Sequence, residues 1–306
     1  MFYAGTTDKK TFGGIHVSED GQRWTQVHKE TAKDKKERGS YGIFGFARGN
    51  GMLVAVGGGD NISKGGHCRM LASKDGVAWE GPLWRFENNG AMNCVAFGKD
   101  RFVCQGGEGP WAYFSSSMDG KEWSDPSKNR IEKWPGWTKM ILKLAYGNDR
   151  FVGIGATRRV ITSSDGQAWK DHPDEARLRP PFVSLAYGNG VFVAGGMHGL
   201  RARSKDGETW DNVVNGEVGE HLNEILWTGT EFVALGIEVT YKSPDGVQWE
   251  KFPTEIRAAR GCHGAGTFLC TNLRGTECYR SQDAVAWEAI PPVPDTLFTG
   301  ALAWFE

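Results

Sequence analysis

Short apolar strands separated by polar turns recur along the whole chain. Six segments place two apolar runs on either side of a turn of Gly, Asn or Asp; Leu144–Gly155, for example, has the sequence LAYGNDRFVGIG, and Leu185–Gly196 has LAYGNGVFVAGG. This arrangement is typical of β-hairpins. In four segments an aromatic residue precedes a Phe by five positions, which predicts a cross-strand ring pair beside the turn. The predicted pairs are Phe97 with Phe102, Tyr146 with Phe151, Tyr187 with Phe192, and Trp227 with Phe232.

A second motif, Ser-x-Asp-Gly-x-x-Trp, occurs seven times, and six of its copies follow one of these hairpins. Asp-Gly favours a tight turn because Gly takes a positive φ at little cost, while the Ser and Asp side chains can bond nearby backbone N–H groups. The last copy has Ala284 in place of Gly, which predicts backbone strain there and a turn of a different type. The predicted structural turns centre on Asp20, Asp75, Asp119, Asp165, Asp206, Asp245 and Asp283.

The hairpin missing before the first motif is divided between the two ends of the chain. The final residues LAWFE match the first strand of a hairpin, and the initial residues MFYAG match the second. Successive motif aspartates lie 38 to 55 residues apart, and the count through both ends from Asp283 to Asp20 is 43. Repeats of this length with about four short strands each are typical of propeller blades. We therefore predict an all-β, seven-bladed β-propeller of four-stranded antiparallel blades, closed by the C-terminal strand (301–306) joining the N-terminal blade, as a single domain over residues 1–306.

The motif resembles the Asp-box (BNR) repeat of sialidases, sortilin-type receptors and photosystem assembly factors, with one residue fewer between Asp and Gly. The resemblance covers all seven repeats and implies the propeller fold. It implies little about chemistry, because in that family the motif forms a turn away from the active site. Sialidases proper also have an Arg-Ile-Pro motif, which this sequence lacks. The chain is therefore predicted not to be a sialidase.

Composition excludes several classes of function. The formal net charge is −1, so no global field attracts nucleic acid. No apolar run is long enough to insert into a membrane, and the sequence predicts no signal peptide. A processed chain that is secreted or periplasmic is favoured over a cytoplasmic one. The six cysteines suggest free buried thiols, and their spacing to histidines indicates no metal site. No cofactor motif is present.

Candidate binding residues lie in the connections at the end of the propeller opposite the motif turns. Loops on a rigid scaffold commonly contain binding residues, and aromatic rings beside Arg and acidic groups suit a sugar or an anionic ligand. The predicted ligand-binding face contains Trp111, Arg158, Arg159, Arg201, Glu238 and Arg274. His198 and Glu108 are candidate catalytic residues, although a lone loop His is usually solvated or hydrogen-bonded, and Glu108 lacks a carboxylate partner in the sequence.

Two functions are consistent with these residues. The first is a non-catalytic binding or scaffold protein that recognises a protein or a glycan through the long-loop face, since the repeat is complete and no catalytic signature is present. The alternative is a polysaccharide-degrading enzyme, a uronate lyase or a glycoside hydrolase, with its site at the axial loops and His198 as the base. The cationic and aromatic loop residues motivate this alternative. The first function is favoured.

Overall fold

Seven antiparallel sheets form the seven blades of an all-β propeller, as the sequence pattern predicts. The computed structural model describes residues 1–8, 13–29, 41–59, 67–81, 91–106, 112–126, 130–131, 141–155, 159–172 and 181–306. The chain divides into two compact units, one of residues 1–141 with 292–306 and the other of residues 142–291. In the described ranges no helix has the length and apolar character that a membrane span requires.

The first unit contains blades 1 to 3. Blade 1 has the strand order β26-β1-β2-β3 with β27 also paired to β1, blade 2 has β4-β5-β6, and blade 3 has β7-β8-β9-β10. The strands of this unit are β1 (Phe2–Asp8), β2 (Gly13–Ser18), β3 (Thr25–Lys29), β4 (Tyr41–Gly49), β5 (Met52–Gly59), β6 (His67–Ser73), β7 (Met92–Gly98), β8 (Arg101–Gly106), β9 (Ala112–Ser117), β10 (Arg130–Ile131), β26 (Thr296–Leu297) and β27 (Leu302–Trp304).

The second unit contains blades 4 to 7, with strands in chain order within each blade. Blade 6 has three strands, because the long β20 pairs with β19 through its first half and with β21 through its second half. The strands are β11 (Ile141–Gly147, which begins at the boundary), β12 (Arg150–Gly155), β13 (Val160–Ser163), β14 (Lys170–His172), β15 (Phe182–Gly188), β16 (Val191–Gly196), β17 (Arg201–Ser204), β18 (Asp211–Val214), β19 (Leu222–Trp227), β20 (Phe232–Ser243), β21 (Glu250–Arg257), β22 (Arg260–Gly264), β23 (Thr267–Thr271), β24 (Cys278–Ser281) and β25 (Glu288–Ile290).

The two ends of the chain meet in blade 1, as their sequences predict. β27 pairs antiparallel with β1, with Phe2 opposite Trp304. The amino group of Met1 donates a hydrogen bond of 2.6 Å to the carbonyl oxygen of Phe305. The C-terminal strand therefore completes the N-terminal blade and covers its inner edge.

The predicted hairpins and ring pairs are confirmed. Both central turn residues have positive φ in the hairpins that turn at Lys99 and Asp100 and at Asn189 and Gly190, the geometry of a type I′ turn. In all four predicted ring pairs the centroids are 4.7 to 4.9 Å apart. The Phe of each pair is fully buried. The repeated hairpin thus supplies one large core side chain to each of these four blades, which is why its sequence pattern predicts the fold so directly.

The cysteine register is also as predicted. Cys94 lies opposite Gln105 and Cys262 lies opposite Leu269, so neither falls opposite another cysteine. All six cysteines are free thiols, and five of them are buried. Burial raises the pKa of Cys278, the half-buried one, to about 12. These side chains behave as small apolar core residues.

Candidate functional site

The seven motif turns share one set of hydrogen bonds. In the copy of blade 6, Ser243 Oγ donates to Asp245 Oδ1 over 3.2 Å, and the same oxygen accepts the backbone N–H groups of Val247 and Gln248 at 2.8 and 3.0 Å. The corresponding bonds recur in the other six turns. These backbone bonds hold the pKa of the Asp245 carboxyl below its usual range, although its partial burial acts in the opposite direction. The motif aspartates therefore close turns.

The last turn does not differ in type, so the expectation for Ala284 is wrong in that respect. Ala284 has φ of 58°, in the left-handed region where the other copies have Gly, so the predicted strain is present. Asp283 still accepts the N–H groups of Val285 and Ala286, both at 2.9 Å. The Ala284 side chain is fully buried in a cluster that includes Val233. Burial and the retained hydrogen bonds outweigh the local preference for Gly.

Asparagines of the hairpin turns tie neighbouring blades together at this same end. Asn148 of blade 4 donates through Nδ2 to the carbonyl oxygens of Gly190 and Lys205 in blade 5, at 2.9 and 2.8 Å. Its Oδ1 accepts the hydroxyl of Tyr187 at 2.6 Å. In the first unit, Asn50 makes the equivalent bonds from blade 2 to blade 3. Polar atoms at the motif-turn end thus serve the architecture.

The connections at the other end of blades 5 and 6 form a distinct arrangement, which we call the blade 5–6 loop cluster: residues 197–200, residues 215–221, Tyr241 and Lys251. The N–H of Gly216 donates to the carbonyl oxygen of His198 at 2.9 Å. The N–H of His198 is 3.3 Å from His221 Nδ1, and the N–H of Gly219 is 3.4 Å from His198 Nδ1. The loop within blade 5 and the connection to blade 6 therefore lie together.

Gly216 lies against both the other loop and the Glu220 carboxylate. A Cβ on Gly216 would lie 3.1 Å from Gly199 Cα, 2.9 Å from the Tyr241 hydroxyl and 2.3 Å from Glu220 Oε2, so a side chain here would displace that carboxylate. His198 has φ of 56°, which is uncommon for a residue other than Gly and costs backbone energy. The surrounding hydrogen bonds hold the loop in this strained form.

Glu220 is the centre of the loop cluster. Its carboxylate accepts hydrogen bonds from the Tyr241 hydroxyl at 2.7 Å and the Glu217 N–H at 2.9 Å, and it forms an ion pair with Lys251 Nζ at 2.6 Å. Burial acts to raise the pKa of Glu220, but the bonds from Lys251, Tyr241 and the backbone outweigh it and leave this pKa below its usual range. The charged Glu220 carboxylate thus has hydrogen-bond partners on both oxygens and links the loop to blade 6.

Arg201 lies beneath this cluster instead of on its surface. Its guanidinium carbon is 3.9 Å from the centroid of the Tyr241 ring and 5.6 Å from that of Trp249. The residue is only 7% exposed. Stacking of this kind stabilises the contact between blades 5 and 6.

The other predicted site residues are dispersed. Arg159 forms an ion pair with Asp171 in blade 4, and Glu238 forms an exposed one with Arg257 at 3.4 Å. Arg274 lies exposed in the turn after β23. The structure brings His198 and Arg201 to the same loop cluster, whereas Arg159 and Glu238 form ion pairs with residues outside it. Trp111, Arg158 and Glu108 lie outside the described residues.

Exposed aliphatic side chains near the loop cluster are a feature that sequence reasoning missed. Val218, in the loop between β18 and β19, is 91% exposed, and Met197 is 38% exposed. Val213 and Val214, on the outer strand β18, are 45% and 42% exposed. Half of the exposed large apolar side chains among the described residues fall in this one stretch of 22 residues. The segment Val213–Glu220, VVNGEVGE, is where a sequence signal was available, because two valines and a third between glycines have no counterpart in the other repeats.

Comparison with known proteins adds solved structures of low sequence identity. No protein-family model matches the chain, and no curated protein is similar to it. YCF48 bound to D1 peptide is 14% identical with a TM-score of 0.54, covering 95% of this chain and 93% of that one. A catalytically inactive virginiamycin B lyase from Staphylococcus aureus with quinupristin is 10% identical with a TM-score of 0.55, covering 82% and 84%. The WD40 propeller domain of Doa1 is 12% identical with a TM-score of 0.55, covering 88% and 85%.

The likeness shows the fold alone. Proteins as different as these share one architecture, so the chemistry of this chain depends on its own side chains. Among the described residues no group of three or more His, Cys, Asp and Glu side chains could hold a metal ion. What distinguishes the loop cluster is a charged, hydrogen-bonded Glu220 close in the chain to exposed aliphatic side chains.

Proposed function

We propose that this chain is a non-catalytic propeller that binds a protein partner through the blade 5–6 loop cluster. The observation on which the proposal rests is the exposed aliphatic surface of Met197, Val214 and Val218 beside a loop pair fixed by Glu220. Exposed apolar side chains with a polar rim are typical of protein interfaces. A loop that is already ordered loses little entropy on binding, which favours affinity.

The chemistry of the surface favours a protein over a glycan. Sugar sites commonly use aromatic rings as stacking platforms, whereas the exposed side chains here are aliphatic. YCF48 bound to D1 peptide offers one example of a propeller of similar fold with a peptide ligand. We further propose that the seven motif turns are a variant of the Asp-box repeat, and we rank glycan recognition through a wider face that includes Glu238 and Arg274 below protein binding.

The enzymatic alternative has one favourable observation, the strained His198 whose ring centroid is 5.4 Å from that of His221. The Nδ1 atom of His198, however, lies 3.4 Å from the N–H of Gly219, where it acts as a hydrogen-bond acceptor that supports the loop. We therefore infer a structural role for this imidazole and rank a polysaccharide lyase or hydrolase second.

The test replaces Val218 with Asp and compares pull-downs from extract of the source organism with those of the wild-type chain. Because Val218 is 91% exposed, Val218→Asp leaves stability within about 0.5 kcal/mol. A charge at the centre of an apolar interface is expected to weaken partner binding at least about tenfold, measured by titration of the recovered partner.

Met118→Asp is the matched control. Met118 is 63% exposed and lies in the motif turn of blade 3, outside the loop cluster. The control variant should retain the partner at wild-type affinity. A partner that binds Val218→Asp as tightly as the wild type, or that is lost equally from both variants, would refute the assignment of this face.

A further inference from the structure

The inner strands of the second unit contain charged side chains at one repeated position. Lys143 of β11, Ser184 of β15, Glu224 of β19 and Arg260 of β22 occupy equivalent places, four residues before the hairpin-turn Gly or its counterpart. A β-bulge immediately precedes Ser184 and Glu224 and marks the same local geometry. In the first unit the equivalent residues are uncharged, namely Gly45, Cys94 and Ala301.

Lys143 neutralises Glu224 across an intervening blade. Its ammonium nitrogen is 2.7 Å from Glu224 Oε1 and 2.8 Å from Oε2, although the two residues belong to blades 4 and 6. The Glu224 side chain is only 9% exposed, whereas that of Lys143 is 34% exposed. Ser184, in the blade between them, donates its hydroxyl to the carbonyl oxygen of Leu222 at 3.0 Å. The acidic charge of the cluster is therefore fully compensated, and the ammonium group remains in reach of solvent.

Arg260 is left with no counter-ion among the described residues. Its Nη1 is buried and makes no hydrogen bond within that part of the chain. Burial lowers the pKa of this guanidinium, while the nearby Glu224 acts in the opposite direction. Arg280 of the same blade shows the usual alternative, since its Nε lies 3.0 Å from Glu288 Oε1. A half-buried guanidinium without a partner is costly unless an anion satisfies it.

We propose that Arg260, assisted by Lys143, binds a carboxylate group of a ligand at the inner strands of blades 4 to 7. Two cations around one carboxylate leave a net positive charge of one in a partly buried setting, where electrostatic attraction is stronger than in water. The planar guanidinium fits the two oxygens of a carboxylate. Glu224 already shows that a carboxylate is stable beside Lys143.

The ligand is a small organic acid or an Asp or Glu side chain of a bound peptide, and both present the same group. The site is separate from the blade 5–6 loop cluster and does not depend on the proposed protein-binding face. Failure of one proposal therefore leaves the other intact.

The experiment is calorimetric titration of the full chain with succinate, with a short Glu-containing peptide capped at both ends, and with inorganic phosphate. We expect the wild type to bind the carboxylates and Arg260→Gln to bind them at least about tenfold more weakly, because a charge-assisted hydrogen bond is lost. Arg280→Gln, the matched control, should stay within about twofold of the wild type, since Arg280 already has a carboxylate partner. Succinate and the peptide distinguish the two sources of the group.

A second variant is expected to change the affinity for carboxylates in the opposite direction. Glu224→Gln removes the carboxylate that competes for Lys143, so carboxylate binding should become about tenfold tighter if the variant retains the wild-type circular dichroism spectrum. Equal binding by the wild type and Arg260→Gln overturns the proposal, as does the absence of carboxylate binding to both the wild type and Glu224→Gln at millimolar concentration. Tighter binding of phosphate than of either carboxylate overturns the ligand class.

Discussion

The motif turns and the blade 5–6 loop cluster show two ways in which this chain fixes its backbone. In each turn, one Asp oxygen binds N–H groups two and three residues further along the chain, and the same geometry appears seven times. In the loop cluster, Glu220 joins Tyr241 and Lys251, which lie in the next blade. The turns repeat because they serve the architecture common to all blades. The loop cluster does not repeat, which is what a surface with one specific partner requires.

The two regions also differ in what they present to solvent. At the motif-turn end, polar side chains such as Asn148 are bonded to the next blade. At the loop cluster, the polar groups are bonded beneath the surface, and aliphatic groups such as Val218 point outward. Buried polar groups of folded proteins are normally hydrogen-bonded, so bonded polar groups are expected in both regions. A group of exposed apolar side chains at one place is therefore the more informative observation.

The largest effect is expected from Gly76→Ala in the motif turn of blade 2. Gly76 has φ of 75°, and a Cβ at this position would lie 2.0 Å from the Tyr3 hydroxyl oxygen. Backbone strain and overpacking together should lower the free energy of unfolding by about 2–4 kcal/mol. Urea denaturation followed by tryptophan fluorescence measures this loss.

Gly51→Ala is the matched control, because Gly51 has φ of 71° but no atom within 4 Å of the added Cβ. Only the strain remains in this variant, which should cost about 1 kcal/mol. Equal losses in both variants would show that packing against Tyr3 is not what selects Gly in the turn.

A smaller, pH-dependent effect is expected from Asp283→Ala in the last turn. Backbone bonds from Val285 and Ala286 hold the pKa of Asp283 below its usual range. A carboxyl with a depressed folded-state pKa contributes stability that is present above its unfolded pKa near 4 and lost as the pH falls through the folded value. The variant should therefore be about 1 kcal/mol less stable than the wild type at pH 7, and the difference should shrink below pH 3.

Urea midpoints at pH 7 and at pH 2.5 test this expectation. Glu250→Gln serves as the control, because Glu250 is an exposed strand residue outside the motif. Its difference from the wild type should be small at both values. A deficit of Asp283→Ala that stays constant with pH would contradict the role of the ionised carboxylate.

The repeated hairpins and turns could be predicted from the sequence, whereas the contacts of the blade 5–6 loop cluster could not. The hairpins, the ring pair of Tyr187 and Phe192, and the closure through Trp304 depend on residues whose order along the chain determines their partners. The expectation for Ala284 failed in part because tertiary burial outweighed a local preference. Short-range sequence preferences determine the structure of one repeat. They also predict the whole fold here, because all the blades follow the same preferences.

The candidate site could not be predicted in this way. Glu220 and Tyr241 are 21 residues apart, and Lys143 and Glu224 are 81 apart. No periodicity connects such residues, since their meeting depends on how one blade packs on the next. Arg201 illustrates the difficulty, because its place in the sequence suggested a binding face whereas its side chain is buried against an aromatic ring.

The most local effect, and the sharpest test of the comparison, is expected from Glu220→Ala. The Glu217 N–H loses its acceptor, and the contact of Lys251 and Tyr241 with the loop is removed. Amide hydrogen exchange measured by mass spectrometry should accelerate at least about tenfold in residues 197–200 and 215–221, while exchange in the motif turns stays unchanged. Glu217→Ala is the control, because the Glu217 side chain is 78% exposed and pairs with Lys251 alone in the loop cluster. Exchange that is equally slow in Glu220→Ala and the wild type would mean that the backbone bonds of His198 and Gly216 suffice to hold the loop. Acceleration confined to these residues would show that this surface is held by long-range contacts, independently of the repeated turns.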